Sequence, residues 1–220
     1  MRLAARPVEA FLKSRWFYPI VFLLCLVPAS GMVWQISTNN LGVNPVESLL
    51  FETGRTALAL LLVTLSITPI RRLTGWNRVQ LVRRMVGVWC FFYALCHFLV
   101  YVVFDQVGDV HAILDDVANR PFIFLGMLAF TILTALAATS MNWTMRLLGR
   151  NWQRLHRAVY VAGIAAVVHF VWGQKADIRE PLRWAAVLAV LLGIRIVFAL
   201  KKRRAGKPGI GRNPVSAGTR

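Results

Sequence analysis

Residues 148–173 read Leu148-Gly149-Arg150-Asn151-Trp152-Gln153-Arg154-Leu155-His156-Arg157-Ala158-Val159-Tyr160-Val161-Ala162-Gly163-Ile164-Ala165-Ala166-Val167-Val168-His169-Phe170-Val171-Trp172-Gly173. From Trp152 to Trp172 this stretch spans about 31 Å as a helix, the thickness of a bilayer hydrocarbon core. A tryptophan near each end fits the aromatic belts of the two interfaces. A histidine lies just inside each tryptophan. Polar side chains at such positions are costly in lipid, so they are expected to face the bundle interior and to have partners. His156 and His169 lie roughly 20 Å apart along the axis and about 140° apart around it, so they do not share one straight face.

The 220-residue chain is 57% hydrophobic and 16% charged. Its apolar residues fall in long runs, which marks a polytopic membrane protein. The expected fold is all-α: a bundle of six transmembrane helices at Phe17–Ile36, Gly54–Ile70, Met85–Phe104, Pro121–Thr139, Trp152–Gly173 and Pro181–Leu200. Pro121 and Pro181 sit at helix starts, where a missing N–H is harmless. Pro28 predicts a kink in the first span. Residues 1–16 form a basic N-terminus, 17–200 the membrane domain, and 201–220 a basic tail expected to be disordered on the inner surface. No internal repeat is evident. Ala29-Ser30-Gly31 resembles a signal-peptide cleavage site, but the apolar run continues through Ile36, so a retained helix is expected.

The net charge of +17 comes from arginines and lysines placed between spans. They are read as topology signals and contacts to anionic lipid, and not as a nucleic-acid surface. Twenty of the 26 basic residues lie in the N-terminus, the 71–84 loop, the 140–157 junction and the tail. Both termini are therefore expected in the cytoplasm, with the acidic 105–120 loop on the outside. Arg195, inside the last span, is expected to snorkel to the inner surface. Cys25, Cys90 and Cys96 lie within spans and read as small core residues; Cys96-His97 is not a thioether haem-attachment motif.

His111 lies in the outer loop and reads as solvated. The other histidines are intramembrane. His97 sits about 10 Å and His169 about 5 Å from the outer ends of their spans, so the two can face each other. Gly87, Cys90, Ala94 and His97 on one helix, and Ala162, Ala165, His169 and Gly173 on the other, follow helical spacing. Two readings stand at this point. The histidines hydrogen-bond across a close helix interface, or they give the two axial ligands of a haem b. His156 has no histidine at its own depth. Arg55, at the outer start of span two, meets a haem propionate or a quinone head, or snorkels to the interface. Tyr101, Tyr160 and Trp89 read as pocket walls or as core. No hydrolase, metalloprotease or phosphate-loop motif is present.

These residues carry a resemblance to a known family. Gly54-Arg55-Thr56-Ala57-Leu58, Ile67-Thr68-Pro69, Arg83-Arg84 with Gly87 and Trp89 leading to His97, Arg120-Pro121, Thr139-Ser140, Leu148-Gly149 with Trp152-Gln153 and Leu155-His156, and His169-Phe170 with Trp172 resemble MsrQ. This is the haem-binding membrane subunit of the periplasmic methionine sulfoxide reductase system. It belongs to the ferric-reductase-like membrane group that includes NADPH oxidases. The resemblance implies a multi-pass protein of the bacterial inner membrane that transfers electrons and does not itself reduce sulfoxide. It implies haem b, FMN, and electrons drawn from the quinone pool or a cytosolic flavin reductase. They would pass to MsrP, a periplasmic molybdopterin enzyme that repairs oxidised proteins. It places His97, His156 and His169 at the haem-histidine positions. Relative to the oxidases the chain has Arg83 and Arg84 where span three would carry a second histidine, and it has no fused flavin–nicotinamide domain. A second, inner haem would need a non-histidine ligand or an open position beside His156, which otherwise serves a quinone or flavin or simply hydrogen-bonds. One haem and two therefore both stand; direct NADPH oxidation is not expected. The other readings are a quinone- or flavin-linked metalloreductase without a dedicated partner, and a non-redox helix bundle or transporter.

Overall fold

The computed structural model describes residues 9–174 and 177–205. Six helices are long and apolar enough to cross a membrane: Phe17–Ser37, Pro45–Thr74, Arg83–Asp105, Pro121–Ala138, Arg150–Gly173 and Arg179–Lys201. No strand occurs among the described residues. Lipid offers the backbone no hydrogen-bond partners, so spans of this composition must close their N–H and C=O groups within helices.

Local sequence sets most helix ends. α1 is Phe17–Ser37. α2, Pro45–Thr74, starts with Asn44, whose side chain accepts from the Glu47 N–H, and has Pro45 in the first turn. It stops at Gly75, which takes the left-handed conformation at φ 77° that a residue without Cβ adopts freely. α2 begins nine residues before the expected Gly54, so the outer connection is shorter than hydropathy suggests. A 3₁₀ turn at Asn77–Leu81 leads to α3, Arg83–Val100, whose last turn widens to π geometry over Tyr101–Asp105. The expected outer loop holds a further helix, α4 at Val110–Asn119, started by Asp109 accepting from the His111 and Ala112 N–H groups. α5 is Pro121–Ala138. The junction before the fifth span folds as α6, Asn142–Leu148, and α7, Arg150–Leu155. A 3₁₀ turn at His156–Ala158 breaks the fifth span just before α8, Val159–Gly173. α9, Arg179–Ala205, runs past Leu200 into the stretch expected to be disordered. Residues 206–220, the rest of that expected tail, lie outside the described residues.

The bundle is built on α2, α3, α5 and α8. α2 packs along α3 and α5 along α8; α1 covers α3 and α2, and α9 covers α8 and α2. The main core, Leu58, Leu61, Leu62, Leu65, Cys90, Leu133, Leu136, Val159, Ala162, Val167 and Leu188, lies where these helices meet. Cys25 and Cys90 are buried and all three thiols are free. The apolar faces of α1 and α9 point away from the core, as lipid-facing surfaces do.

One expectation is corrected here. The chain lacks an evident repeat, yet its two central hairpins are built alike. Gly54, Ala57, Leu61, Ala94, His97 and Phe98 of α2–α3 occupy the places that Gly126, Ala129, Leu133, Ala166, His169 and Phe170 occupy in α5–α8. The correspondence is confined to residues lining one cavity, and the surrounding apolar residues differ freely, which hides it in the sequence.

Candidate functional site

Between the four central helices lies a cavity of about 350 Å³, within the range of small-molecule and cofactor sites. Its walls are mostly apolar, with Leu58, Leu61, Leu133, Phe98, Phe130 and Phe170 among them. His97 and His169 project into it from α3 and α8. Their ring centroids are 6.2 Å apart and their planes meet at 82°.

Both rings are fixed in the same way. His97 Nδ1–H donates to the Leu50 carbonyl at 2.9 Å, and His169 Nδ1–H donates to the Phe122 carbonyl at 2.6 Å. In each case the accepting residue lies 47 positions earlier in the chain. A carbonyl only accepts, so each Nδ1 carries the proton and each Nε2 keeps its lone pair. This is how metal-binding histidines are oriented by outer partners. One helical turn after each carbonyl comes a glycine. A Cβ on Gly54 would stand 3.0 Å from the Cε1 and Nδ1 atoms of His97. A Cβ on Gly126 would stand 2.8 Å from His169 Nδ1 and 2.9 Å from its Cε1. Only glycine lets the imidazole lie against the neighbouring helix. Thr53, buried and bonded to the Leu49 carbonyl, adds its hydroxyl 3.4 Å from His97 Nδ1.

The cavity opens toward the acidic end of the bundle. Arg55 lines this mouth and is held by Glu52 at 3.2 Å and Glu180 at 3.3 Å. It therefore joins α2 to α9 through ion pairs. Arg120 lines the same mouth from the start of α5, paired with Asp116 at 3.1 Å. Asp116, buried despite its charge, also accepts from the Tyr101 hydroxyl at 3.1 Å. Arg120, Asp116, Gly126 and the two carbonyls escape sequence reasoning. The Arg120-Pro121 motif is the one signal that pointed near them.

His156 stands apart. It lies at the opposite end, stacked on Trp152 with ring centroids 4.0 Å apart, and its Nε2 is 3.2 Å from the Thr139 hydroxyl. Trp152 Nε1–H donates to the Thr139 carbonyl at 2.9 Å. Among the described residues His156 meets no second histidine. The 3₁₀ turn that carries it is one reason its direction differs from that of His169. His111 is exposed. Tyr101 lines the cavity, whereas Trp89 packs among Phe22, Phe92 and Tyr93. Tyr160 contacts Arg195, which turns into the bundle to donate to the Tyr160 hydroxyl and the Leu65 carbonyl. The expected snorkelling of Arg195 is thereby corrected. Pro69 has no N–H to offer Leu65 one turn earlier, and Arg195 fills the gap.

A membrane helix bundle with a deep cavity between two inward-facing histidines defines the class, and sequence comparison agrees with it: residues 53–167 match the family described as "Ferric reductase like transmembrane component". A protein of Bordetella pertussis named "Protein-methionine-sulfoxide reductase heme-binding subunit MsrQ" is 45% identical, covering 93% of this chain and 100% of its own length. MsrQ proteins of Ralstonia nicotianae, 43% identical over 89% of this chain and 91% of theirs, and of Xanthomonas axonopodis pv. citri, 46% over 78% and 79%, are similar in the same way. The chain belongs to the MsrQ family, and is a multi-pass protein of the bacterial inner membrane. No solved structure matches it.

Proposed function

We propose that this chain holds one haem b between His97 and His169 and carries electrons across the membrane to a methionine-sulfoxide-reducing partner. The observation that carries the reading is the histidine pair, with both Nε2 lone pairs left free beside an apolar cavity. The spacing fits the group. Two imidazoles sharing one metal at the usual metal–nitrogen distance of about 2.0–2.1 Å would have their centroids roughly 6 Å apart, and the observed separation is 6.2 Å. No group of three or more His, Cys, Asp or Glu side chains capable of holding a metal occurs among the described residues. A porphyrin supplies four ligands of its own, so two histidines suffice.

When bound, haem b supplies one-electron transfer. The chain's residues do the rest. The Leu50 and Phe122 carbonyls orient the imidazoles and raise their basicity. Phe98, Phe130, Phe170 and the leucines line the cavity and would keep water from a bound haem. Arg55 and Arg120 at the mouth are the groups suited to two propionates, because a guanidinium offers a carboxylate a matched pair of donors. The relatives' name, a subunit of protein-methionine-sulfoxide reductase, supports a separate catalytic partner, which in this reading is periplasmic MsrP docking at the acidic end. The arginine-rich end then faces the cytoplasm, as do both termini. Electrons enter there, from the quinone pool or a cytosolic flavin reductase, with FMN as an intermediate carrier and His156 near the point of entry.

The test is the optical spectrum of the purified protein with a haem-to-protein ratio. The expected result is one haem per chain with sharp reduced α and β bands. His97→Ala and His169→Ala should each abolish the low-spin spectrum, while His156→Ala leaves it in place. Low-spin haem retained in both of the first two variants would overturn the assignment.

A further inference from the structure

The two histidine-bearing hairpins match at a constant offset in the chain: Leu50 with Phe122, Gly54 with Gly126, His97 with His169 and Phe98 with Phe170. At the position just before each glycine the match fails. The first hairpin carries Thr53 and the second carries Leu125. Thr53 is 3% exposed, a polar side chain buried in an otherwise apolar bundle. The matching Leu125 shows that an apolar side chain suits this place in the hairpin.

The Thr53 hydroxyl donates back along α2, to the Leu49 carbonyl with the Leu50 carbonyl beside it. Its one hydrogen is thereby used, and its oxygen lies 3.4 Å from His97 Nδ1 as an acceptor. That nitrogen already donates to the Leu50 carbonyl at 2.9 Å. The Nδ1 proton of His97 therefore stands between two acceptors in a three-centre bond. A hydroxyl that is itself donating is polarised and accepts more strongly. His169 Nδ1–H has the Phe122 carbonyl, at 2.6 Å, as its one acceptor among the described residues.

Satisfying a buried hydroxyl does not by itself account for Thr53. Thr64, also buried on α2, makes the same back-bond to the Leu60 carbonyl at 2.8 Å, with no hydrogen bond to a histidine among the described residues. What sets Thr53 apart is the imidazole.

We propose that Thr53 is a positioning residue that makes the two histidines electronically unequal and, through His97, lowers the reduction potential of the site. This rests on the haem assignment above. A second acceptor on Nδ1–H draws the proton away from the ring and adds electron density at Nε2. A more basic Nε2 favours ferric over ferrous iron, since the higher charge gains more from it. The site is thereby a stronger reductant for its partner.

The experiment is a redox titration of the reduced α band in the full-length haem-loaded protein. Thr53→Val keeps the branched shape and removes the acceptor. The expected result is a raised midpoint, equivalent to a roughly threefold shift in the oxidised-to-reduced ratio or about 28 mV for one electron, with the low-spin spectrum retained. Thr53→Ala, which removes the hydroxyl with less bulk, is titrated beside it and should rise alike. Thr53→Ser should keep the wild-type midpoint. Thr64→Val, which loses a comparable buried hydroxyl away from the histidines, should keep it too. An unchanged or lower midpoint in Thr53→Val and Thr53→Ala, or an equal rise in Thr64→Val, overturns the proposal while leaving the haem assignment standing. Absence of low-spin haem from the unaltered protein would instead remove the haem assignment, and this inference with it.

Discussion

At the scale of single residues, the site depends on two glycines as much as on two histidines. His169 lies so close to α5 that a methyl group at position 126 would meet its ring at 2.8 Å, well inside van der Waals contact. Gly126→Ala must push the imidazole inward or part the helices, at a cost of about 1–3 kcal/mol. The expected outcome is loss of low-spin haem with retained helical circular dichroism. Gly54→Ala, whose Cβ would meet His97 at 3.0 Å, should show the same defect more mildly. Absorbance of the reduced α band against protein concentration measures both. The histidines were legible in the sequence because an intramembrane imidazole stands out by its chemistry and its depth. Their carbonyl partners were not, because hydrogen bonds to Leu50 and Phe122 depend on how each helix is rotated. Hydropathy does not encode that rotation.

At the scale of helices, proline places polar contacts inside an apolar bundle. α1 runs unbroken through Pro28. Beside it the Tyr93 hydroxyl donates to the Cys25 carbonyl at 2.7 Å and accepts from the Ala29 N–H at 2.9 Å. It thus stands between two backbone groups that a regular helix would join directly. Pro69 in α2 creates the matching vacancy that Arg195 of α9 fills. These two contacts fasten the outer helices, which otherwise present mainly apolar surface. Tyr93→Phe keeps the ring, which is almost fully buried, but orphans both groups. The expected destabilisation is about 1–3 kcal/mol, read as a lower unfolding temperature, with the haem spectrum unchanged while folded. Pro28 was readable in the sequence as a gap in the helix's backbone bonding, but the tyrosine that bonds the backbone beside it lies 68 positions away from Cys25. α4 was missed for a different reason. Its three aspartates, counting the Asp109 cap, suggested a loop, whereas Asp109 starts a helix and Asp116 is drawn inward by Tyr101 and Arg120.

At the scale of the molecule, the six spans were legible because lipid leaves an apolar chain no alternative to helices. The paired construction was hidden because it rests on a few cavity-lining positions in each hairpin. That construction is the main structural argument for a haem. Each hairpin supplies a carbonyl, a glycine and a histidine, so the cavity presents the same ligand on two opposite sides. The inner end follows no such rule. His156 is engaged with Trp152 and Thr139 and meets no second histidine among the described residues. The most direct test is the low-temperature electron paramagnetic resonance spectrum of the oxidised protein. Imidazole planes 82° apart predict a single, strongly anisotropic low-spin ferric signal that disappears in both His97→Ala and His169→Ala. A purely high-spin signal in the unaltered protein, or a low-spin signal that survives both substitutions, would contradict the account.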